Sequence, residues 1–215
     1  MGMYWETISS YVLIAGTIAF AVTAVLAVAP KGIDLFGACV MGIITAIGGG
    51  TVRDLILDVP VFWAHDLSYI WIAFAASLLT FWGQSFFTRS TIYNLLLYVD
   101  GLGVALFATQ ATYKVWALKF GLPLAPIILG IITAIGGGLI RDVLAGRQTL
   151  LMKREIYAIP VLFGTLLLVI LLETVPEYRT ASALACFTLI FAIRSAAIHW
   201  SLFVPDWLAT KPSSE

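Results

Sequence analysis

Long apolar stretches divide this chain of 215 residues into segments whose size matches the thickness of a membrane. A helix needs about 20 predominantly apolar residues to cross the hydrocarbon core of a bilayer, and seven stretches reach that length. Because backbone polar groups in hydrocarbon must be hydrogen-bonded within their own segment, helices are expected. We therefore predict an all-α membrane protein with seven transmembrane helices. The predicted spans are residues 8–29, 35–57, 68–87, 91–113, 122–144, 156–175 and 181–203.

The composition agrees with a membrane protein and excludes several other classes. Hydrophobic residues make up 61% of the chain and charged residues only 11%, whereas soluble domains carry about 25% charged residues. Lysine plus arginine and aspartate plus glutamate number 12 each, so the chain offers no basic surface for a nucleic acid. The connections between spans are short, so residues 1–215 are expected to form a single membrane domain.

Catalytic and metal-binding patterns are missing from the sequence. Its two histidines, His65 and His199, stand alone, and no Ser/His/Asp, His/Cys or paired-carboxylate spacing occurs. Cys39 and Cys186 lie within apolar runs, where cysteine behaves as a small buried hydrophobic residue. We therefore expect no enzymatic activity and no cofactor.

One unusual segment occurs twice in the chain. The sequence GIITAIGGGTVRD at residues 42–54 returns as GIITAIGGGLIRD at residues 130–142. The similarity extends to the preceding and following spans, so the first three spans and the next three are two copies of one unit. The first copy covers about residues 8–87, the second covers about residues 91–175, and the span at 181–203 stands outside both.

The odd number of spans in each copy predicts the topology. The second copy must enter the membrane from the opposite side, so the units are inverted repeats related by a pseudo-two-fold axis in the membrane plane. Basic residues outside the helices are more numerous on one side, which the positive-inside rule assigns to the cytoplasm. The C-terminus is then cytoplasmic and the N-terminus lies outside. The richer side holds Lys31, Arg89, Arg147, Lys153, Arg154 and Lys211, and the other holds Lys114, Lys119 and Arg179.

Glycine triplets lie near the middle of the second and fifth spans. They consist of Gly48, Gly49 and Gly50, and of Gly136, Gly137 and Gly138. Each glycine costs about 1 kcal/mol relative to alanine inside a helix, so three in a row favour a kink or an unwound turn. The alternative is close packing of the two helices, which small residues permit. Because the triplets recur in both copies, we interpret them as broken helices around a central pathway, accompanied by tight packing.

An Arg-Asp dipeptide follows each triplet by about one helical turn. Arg53 and Asp54 lie about 8–10 Å beyond the midplane, and Arg141 and Asp142 lie at the same depth on the opposite side. Neighbouring residues of a helix point about 100° apart, so we expect these groups to pair with other helices. Two roles stay open: an ion pair that locks helix packing, or a function in a hydrated vestibule at each mouth.

Two further charges lie within predicted spans. Asp100 is in the fourth span, while Leu13 occupies the matching position of the first copy. A carboxylate inside a membrane is a functional candidate. Its alternative is a structural ion pair with Arg194, which lies near the middle of the seventh span.

The duplicated IGGGxxRD element, the three-span units and the additional seventh span resemble the prokaryotic branch of the trimeric intracellular cation (TRIC) channels. Some members of that family carry a glycine-transporter-type domain label. The resemblance implies a homotrimer in the prokaryotic inner (plasma) membrane, with a potassium-permeable pathway in each protomer between the second and fifth helices, kinked at their glycines. Many relatives begin both copies with an acidic residue, and here only Asp100 is acidic.

We therefore predict a monovalent cation channel. Triplet carbonyls and the hydroxyls of Thr45 and Thr133 would line a narrow constriction that transiently binds potassium or sodium. Asp100 would strengthen the attraction for a cation, and sodium would pass less readily than potassium. The alternatives are a secondary transporter of a small zwitterion such as glycine, and a membrane scaffold without transport.

Overall fold

The computed structural model of this chain describes residues 2–86 and 89–205. Eight α-helices account for most of these residues. Each predicted span coincides with one of them, and the short helix α3 was not predicted. The helices are α1 (Gly2–Val28), α2 (Leu35–Ile56), α3 (Phe62–His65), α4 (Ser68–Gly83), α5 (Arg89–Ala117), α6 (Leu124–Leu144), α7 (Ile159–Thr174) and α8 (Arg179–His199).

Five segments of the described residues are long and apolar enough to cross a membrane: Ser10–Lys31, Leu35–Ile56, Ser90–Ala117, Leu124–Leu144 and Pro176–His199. The third and sixth predicted spans are shorter than expected. Both α4 and α7 contain 16 residues, which corresponds to about 24 Å of helix. α4 passes into a 3₁₀ turn at Gln84, and α7 lies between Pro160 in its first turn and Pro176. Proline lacks the N–H that a helix interior requires, so it favours helix ends.

Helices α1, α2 and α4 lie in the first predicted copy and α5, α6 and α7 in the second, and we call these two sets the two units. In the first unit α1 contacts α2 and α4, and in the second α5 contacts α6 and α7. The units meet through two further contacts, α1 with α5 and α2 with α6. Helices α2 and α6 therefore cross in the middle of the molecule, while α8 packs on α5 and α7.

Small residues allow the central helices to approach closely. Ala21 and Ala24 of α1 and Ala105 and Ala108 of α5 are fully buried, as is typical where transmembrane helices pack. Many large apolar side chains also lie on the outside, including Leu79, which is 71% exposed. The predicted burial of Cys39 and Cys186 as free thiols is confirmed.

The connections at one end of the bundle tie the two units together. Lys31, which follows α1, donates to the carbonyl oxygen of Ala145 at the end of α6. Arg147, which follows α6, donates to the carbonyl oxygen of Ala27 near the end of α1. Cations near the last carbonyls of a helix satisfy acceptors that the helix leaves free. Each unit thus caps a helix of the other.

Candidate ion pathway

The middle glycine of each triplet lies against the backbone of the opposite helix. A Cβ atom on Gly137 would lie 2.5 Å from the carbonyl oxygen of Thr45, and one on Gly49 would overlap the carbonyl oxygen of Thr133. These contacts are reciprocal, because the middle glycine of each helix faces a threonine carbonyl oxygen of the other helix. Neither position has room for a side chain, so the crossing of α2 and α6 requires glycine at both.

The crossing is closely packed in this structure, and it contains no unwound turn of the kind that the triplets were expected to favour. Both helices are continuous through their triplets. Thr45 and Thr133 are only 0% and 1% exposed. The Thr133 hydroxyl donates to the carbonyl oxygen of Leu129 at 2.6 Å, whereas the Thr45 hydroxyl has no partner among the described residues. Close packing is therefore a role of the triplets, and a kink within a continuous helix stays a prediction.

The other glycines of the triplets have different neighbours. Gly48 faces the end of the Ile140 side chain, and Gly136 faces the Cα atom of Gly49. Gly50 and Gly138 lie beneath aromatic side chains, those of Phe62 and Tyr157 respectively. Each triplet thus presents one face to the opposite helix and another to a connecting segment.

Arg53, Asp54, Gln110 and Lys114 form a buried group that we call the first cluster. Arg53 Nε lies 2.8 Å from Asp54 Oδ1, and Arg53 Nη1 lies 2.9 Å from Gln110 Oε1. Lys114 Nζ lies 2.7 Å from the same Asp54 oxygen. The long arginine side chain also reaches back to its own neighbour, a contact that the expected pairing with other helices did not include. Both also contact α5, as expected.

Arg141, Asp142 and Asp100 form the second cluster. Arg141 Nε lies 2.9 Å from Asp142 Oδ1, and Arg141 Nη1 lies 2.6 Å from Asp100 Oδ1. All three residues are 3% exposed or less. Asp100 therefore pairs with Arg141, so its expected pairing with Arg194 is not observed. The predicted Arg-Asp elements lie inside the protein and not in open vestibules.

Arg194 of α8 contacts the segment that precedes α7. Its Nη1 atom donates to the carbonyl oxygen of Ile156 at 2.7 Å. The guanidinium carbon lies 4.7 Å from the ring centre of Tyr157, within the range of a cation–π contact. Arg194 is 1% exposed, so it is a buried cation that contacts the connection between α6 and α7.

The two aspartates hold connecting segments over the ends of the glycine elements. Asp54 Oδ2 accepts from the backbone N–H of Phe62 at 3.0 Å, and Asp142 Oδ2 accepts from that of Leu150 at 3.1 Å. Phe62 and Leu150 each follow their aspartate by eight residues. The equal spacing is the signal in the sequence that could have indicated this role.

Gln110 and Lys114 were not predicted as site residues. Their i, i+4 spacing places them on one face of α5, toward the first cluster. Asp54 there balances only one of the two cations, Arg53 and Lys114. In the second cluster two carboxylates surround one arginine. The two ends of the crossing thus carry opposite local charge.

Several buried polar atoms near the crossing have no hydrogen-bond partner among the described residues. They are Arg53 Nη2, Asp100 Oδ2, Arg141 Nη2, Thr45 Oγ1, and Nε and Nη2 of Arg194, among others. Buried polar groups without protein partners are commonly hydrogen-bonded to ordered water. The interior between the repeats is therefore chemically suited to hydration. No group of three His, Cys, Asp or Glu side chains that could hold a metal occurs in the part of the chain described.

Fold and site together define a helical membrane protein with a duplicated three-helix unit and a glycine crossing flanked by buried charges. A family model described as "Glycine transporter" matches residues 10–85 and 97–173, two ranges that coincide with the two units. The UPF0126 inner membrane protein YadS of Escherichia coli (strain K12) is 35% identical over 208 residues, which cover 96% of this chain and 97% of that protein.

Solved structures of channels share the fold. A TRIC trimeric intracellular cation channel orthologue from Rhodobacter sphaeroides matches with a TM-score of 0.83 and 33% identity, over 91% of this chain and 100% of that one. A prokaryotic TRIC channel crystallised in 0.5 M KCl matches with a TM-score of 0.85 and 25% identity, over 93% and 100%. The chain belongs to this prokaryotic TRIC-type family, as the sequence resemblance implied.

Proposed function

We propose that this protein is a potassium-permeable monovalent cation channel with a pore in each protomer between α2 and α6. The observation that carries the proposal is the reciprocal glycine crossing of these helices, flanked at each end by a buried charged cluster. The likeness to solved structures of cation channels supports the same function. The relatives named above are membrane proteins and channels, so catalysis is not proposed.

The proposed architecture is one membrane domain of two inverted repeats and α8. Reciprocal contacts are characteristic of a two-fold relation. Three pairs occur here: the glycine crossing, the exchanged caps of α1 and α6, and the two aspartates that each hold a connecting segment. A homotrimer in the prokaryotic inner membrane is proposed from the trimeric channel and the inner membrane protein to which the chain is similar.

The proposed orientation places the N-terminus outside and the C-terminus in the cytoplasm. Lys31 and Arg147 lie at one end of the bundle. Lys153 donates to the hydroxyl of Tyr93 at 2.8 Å, near the start of α5 at the same end. Clustering of cations at one face supports a cytoplasmic assignment. Lys211, which counts toward the same prediction, lies outside the described residues.

Conduction requires α2 and α6 to separate at their crossing. Separation would expose the carbonyl oxygens of Thr45 and Thr133, which now contact Gly137 and Gly49. These carbonyls and the free Thr45 hydroxyl could then replace part of the hydration shell of a cation. Two glycine elements cannot build the four-fold ring of a strongly selective filter, so sodium should also pass, less readily than potassium.

Asp100 is the residue proposed to favour cations at the second cluster. Its Oδ1 atom is held by Arg141, while Oδ2 has no partner among the described residues. A carboxylate oxygen in a medium of low dielectric attracts a cation more strongly than one in water. Together with Asp142, Asp100 gives this end of the crossing an excess of negative charge over Arg141.

Flux measurements in liposomes test the proposal. Purified protein is reconstituted in potassium-loaded vesicles, where a voltage-sensitive dye reports potassium efflux and radiolabelled glycine uptake is followed in parallel. We expect rapid efflux without saturation and no glycine uptake. Asp100→Asn should slow efflux per folded protein, and Asp66→Asn, at an exposed loop position, should not. Saturable glycine uptake without potassium efflux would replace the channel with a carrier.

A further inference from the structure

The connection between α6 and α7 folds back over the end of the second glycine element. We call residues 150–157 of this connection the second cover. Leu150 and Tyr157 are both only 4% exposed. The Tyr157 hydroxyl would lie 3.1 Å from a Cβ atom on Gly138, so the tyrosine occupies the space beside the last glycine of the triplet.

Helix α8 and the segment that follows it hold the second cover. Arg194 binds the carbonyl oxygen of Ile156 and stacks on Tyr157. The backbone N–H of Ile156 donates to Leu202 at 3.4 Å, and that of Val204 donates to Arg154 at 2.8 Å. These bonds form a short antiparallel pairing of the cover with the chain after α8. The cover is thus attached to an element that belongs to neither repeat.

The corresponding segment of the first unit is held differently. Phe62 lies over Gly50, and the guanidinium carbon of Arg53 is 5.9 Å from the Phe62 ring centre. Trp63 Nε1 donates to the hydroxyl of Thr51 at 2.9 Å. We call residues 62–65 the first cover. Its holding side chains come from α2 of its own repeat.

The difference follows from one residue. Leu150 occupies the position equivalent to Phe62 and has no aromatic ring to place over the glycine. Tyr157 takes that position in the second unit, and an arginine from α8 replaces the arginine of the dipeptide as its cationic partner. Each end of the crossing therefore has an aromatic residue beside its last glycine, the ring of Phe62 at Gly50 and the hydroxyl of Tyr157 at Gly138, and a guanidinium near each ring. Only the second of these closures depends on α8.

We propose that the second cover is a gate of the pathway, in which Tyr157 closes the end of the glycine element and Arg194 positions it. Arg194 is a buried cation without an ion-pair partner in the described part of the chain. Such a charge within a membrane segment is costly and marks a functional position. Arg194 contacts Ile156 and Tyr157 of the second cover, and it lies on α8, which belongs to neither repeat. The gating role rests on the proposed channel function.

Single-channel recording of the full chain in planar bilayers tests the gate. Arg194→Gln and Tyr157→Ala should raise the open probability about 5–30-fold, the effect of one or two kcal/mol on a two-state equilibrium, with little change in unitary conductance. Tyr157→Phe removes the hydroxyl beside Gly138 but keeps the ring that contacts Arg194, so its open probability should lie between those of Tyr157→Ala and the unmodified protein. The matched control is Arg179→Gln at the other end of α8, where Arg179 also contacts a tyrosine hydroxyl, that of Tyr113. Unchanged open probability in the first two variants, with folding retained, would overturn the gate.

Hydrogen exchange gives a readout that does not depend on conduction. In Arg194→Gln the amides of residues 150–157 should exchange faster, while those of residues 62–65 keep their protection. Equal protection of the second cover in both proteins would overturn the positioning role. If the unmodified protein passes no current but the cover loosens as expected, the channel function and its gating fall, and the attachment of the cover to α8 is supported.

Discussion

Replacing Gly137 by alanine should destabilise the helix crossing. The new Cβ atom would lie 2.5 Å from the Thr45 carbonyl oxygen, against 3.4 Å for ordinary van der Waals contact. The Thr45 carbonyl is a backbone group and cannot move aside by a change of rotamer. The clash is therefore relieved only if α2 and α6 separate by nearly an ångström. Overpacking of this kind costs about 1–3 kcal/mol, and the better helix propensity of alanine returns about 1 kcal/mol. We expect a net loss of about 1 kcal/mol, and at most about 2 kcal/mol.

Thermal unfolding of the purified protein measures this loss. For a chain of this size about 1 kcal/mol corresponds to a Tm lower by roughly 2–4 °C. Gly136→Ala is the matched control, because its Cβ atom would lie 3.4 Å from the Cα of Gly49 and fits without displacement. That variant should keep or raise the Tm. Equal Tm values for Gly137→Ala and Gly136→Ala would refute the assignment of the crossing to a backbone contact.

Three further substitutions test the buried polar groups. Asp100→Asn should lower the free energy of unfolding by about 1.5–3 kcal/mol, because it weakens a charged hydrogen bond to Arg141, which keeps Asp142 as its ion-pair partner; denaturation in detergent micelles measures it. Lys114→Met should cost about 1 kcal/mol or less, because the Lys114 side chain is 26% exposed and such pairs contribute little; equal losses would contradict this. Thr45→Val should lower unitary potassium conductance about 2–10-fold, the equivalent of one hydrogen bond, whereas Thr133→Val, whose hydroxyl already binds Leu129, should change it less.

The helices could be predicted because the bilayer restricts the alternatives. A stretch of apolar residues long enough to cross hydrocarbon has to be helical, and the duplication of residues 42–54 at 130–142 relates the halves. The ends of α4 and α7 escaped prediction, because they depend on a 3₁₀ turn and on prolines within runs that are apolar throughout.

The sequence predicted the glycine triplets, the Arg-Asp dipeptides and Asp100, but it did not predict their contacts or the other members of the site. The triplets and the Arg-Asp dipeptides do lie at the centre, yet spacing alone does not tell how far an arginine side chain bends toward its neighbour. Arg141 and Arg194 are both predicted to lie at a membrane depth near that of Asp100. The pairing with Arg141 results from the packing of α5 on α6, which the sequence does not reveal. Phe62 and Tyr157 were missed because their positions depend on how connecting segments fold back.

The role of the glycines shows a similar limit. Three consecutive glycines weaken a helix and also allow another helix to approach, and their recurrence in both copies led us to predict a break accompanied by tight packing. The structure has close approach at Gly49 and Gly137 with both helices continuous. Their proposed part in conduction therefore depends on a separation of the helices, not on a permanent break.

Single-channel recording of the purified protein under a potassium gradient tests the central claim most directly. The account predicts discrete currents that reverse near the potassium equilibrium potential, with smaller currents when sodium replaces potassium. Silent bilayers, together with saturable glycine uptake by liposomes from the same preparation, would contradict it and assign the glycine crossing to a carrier.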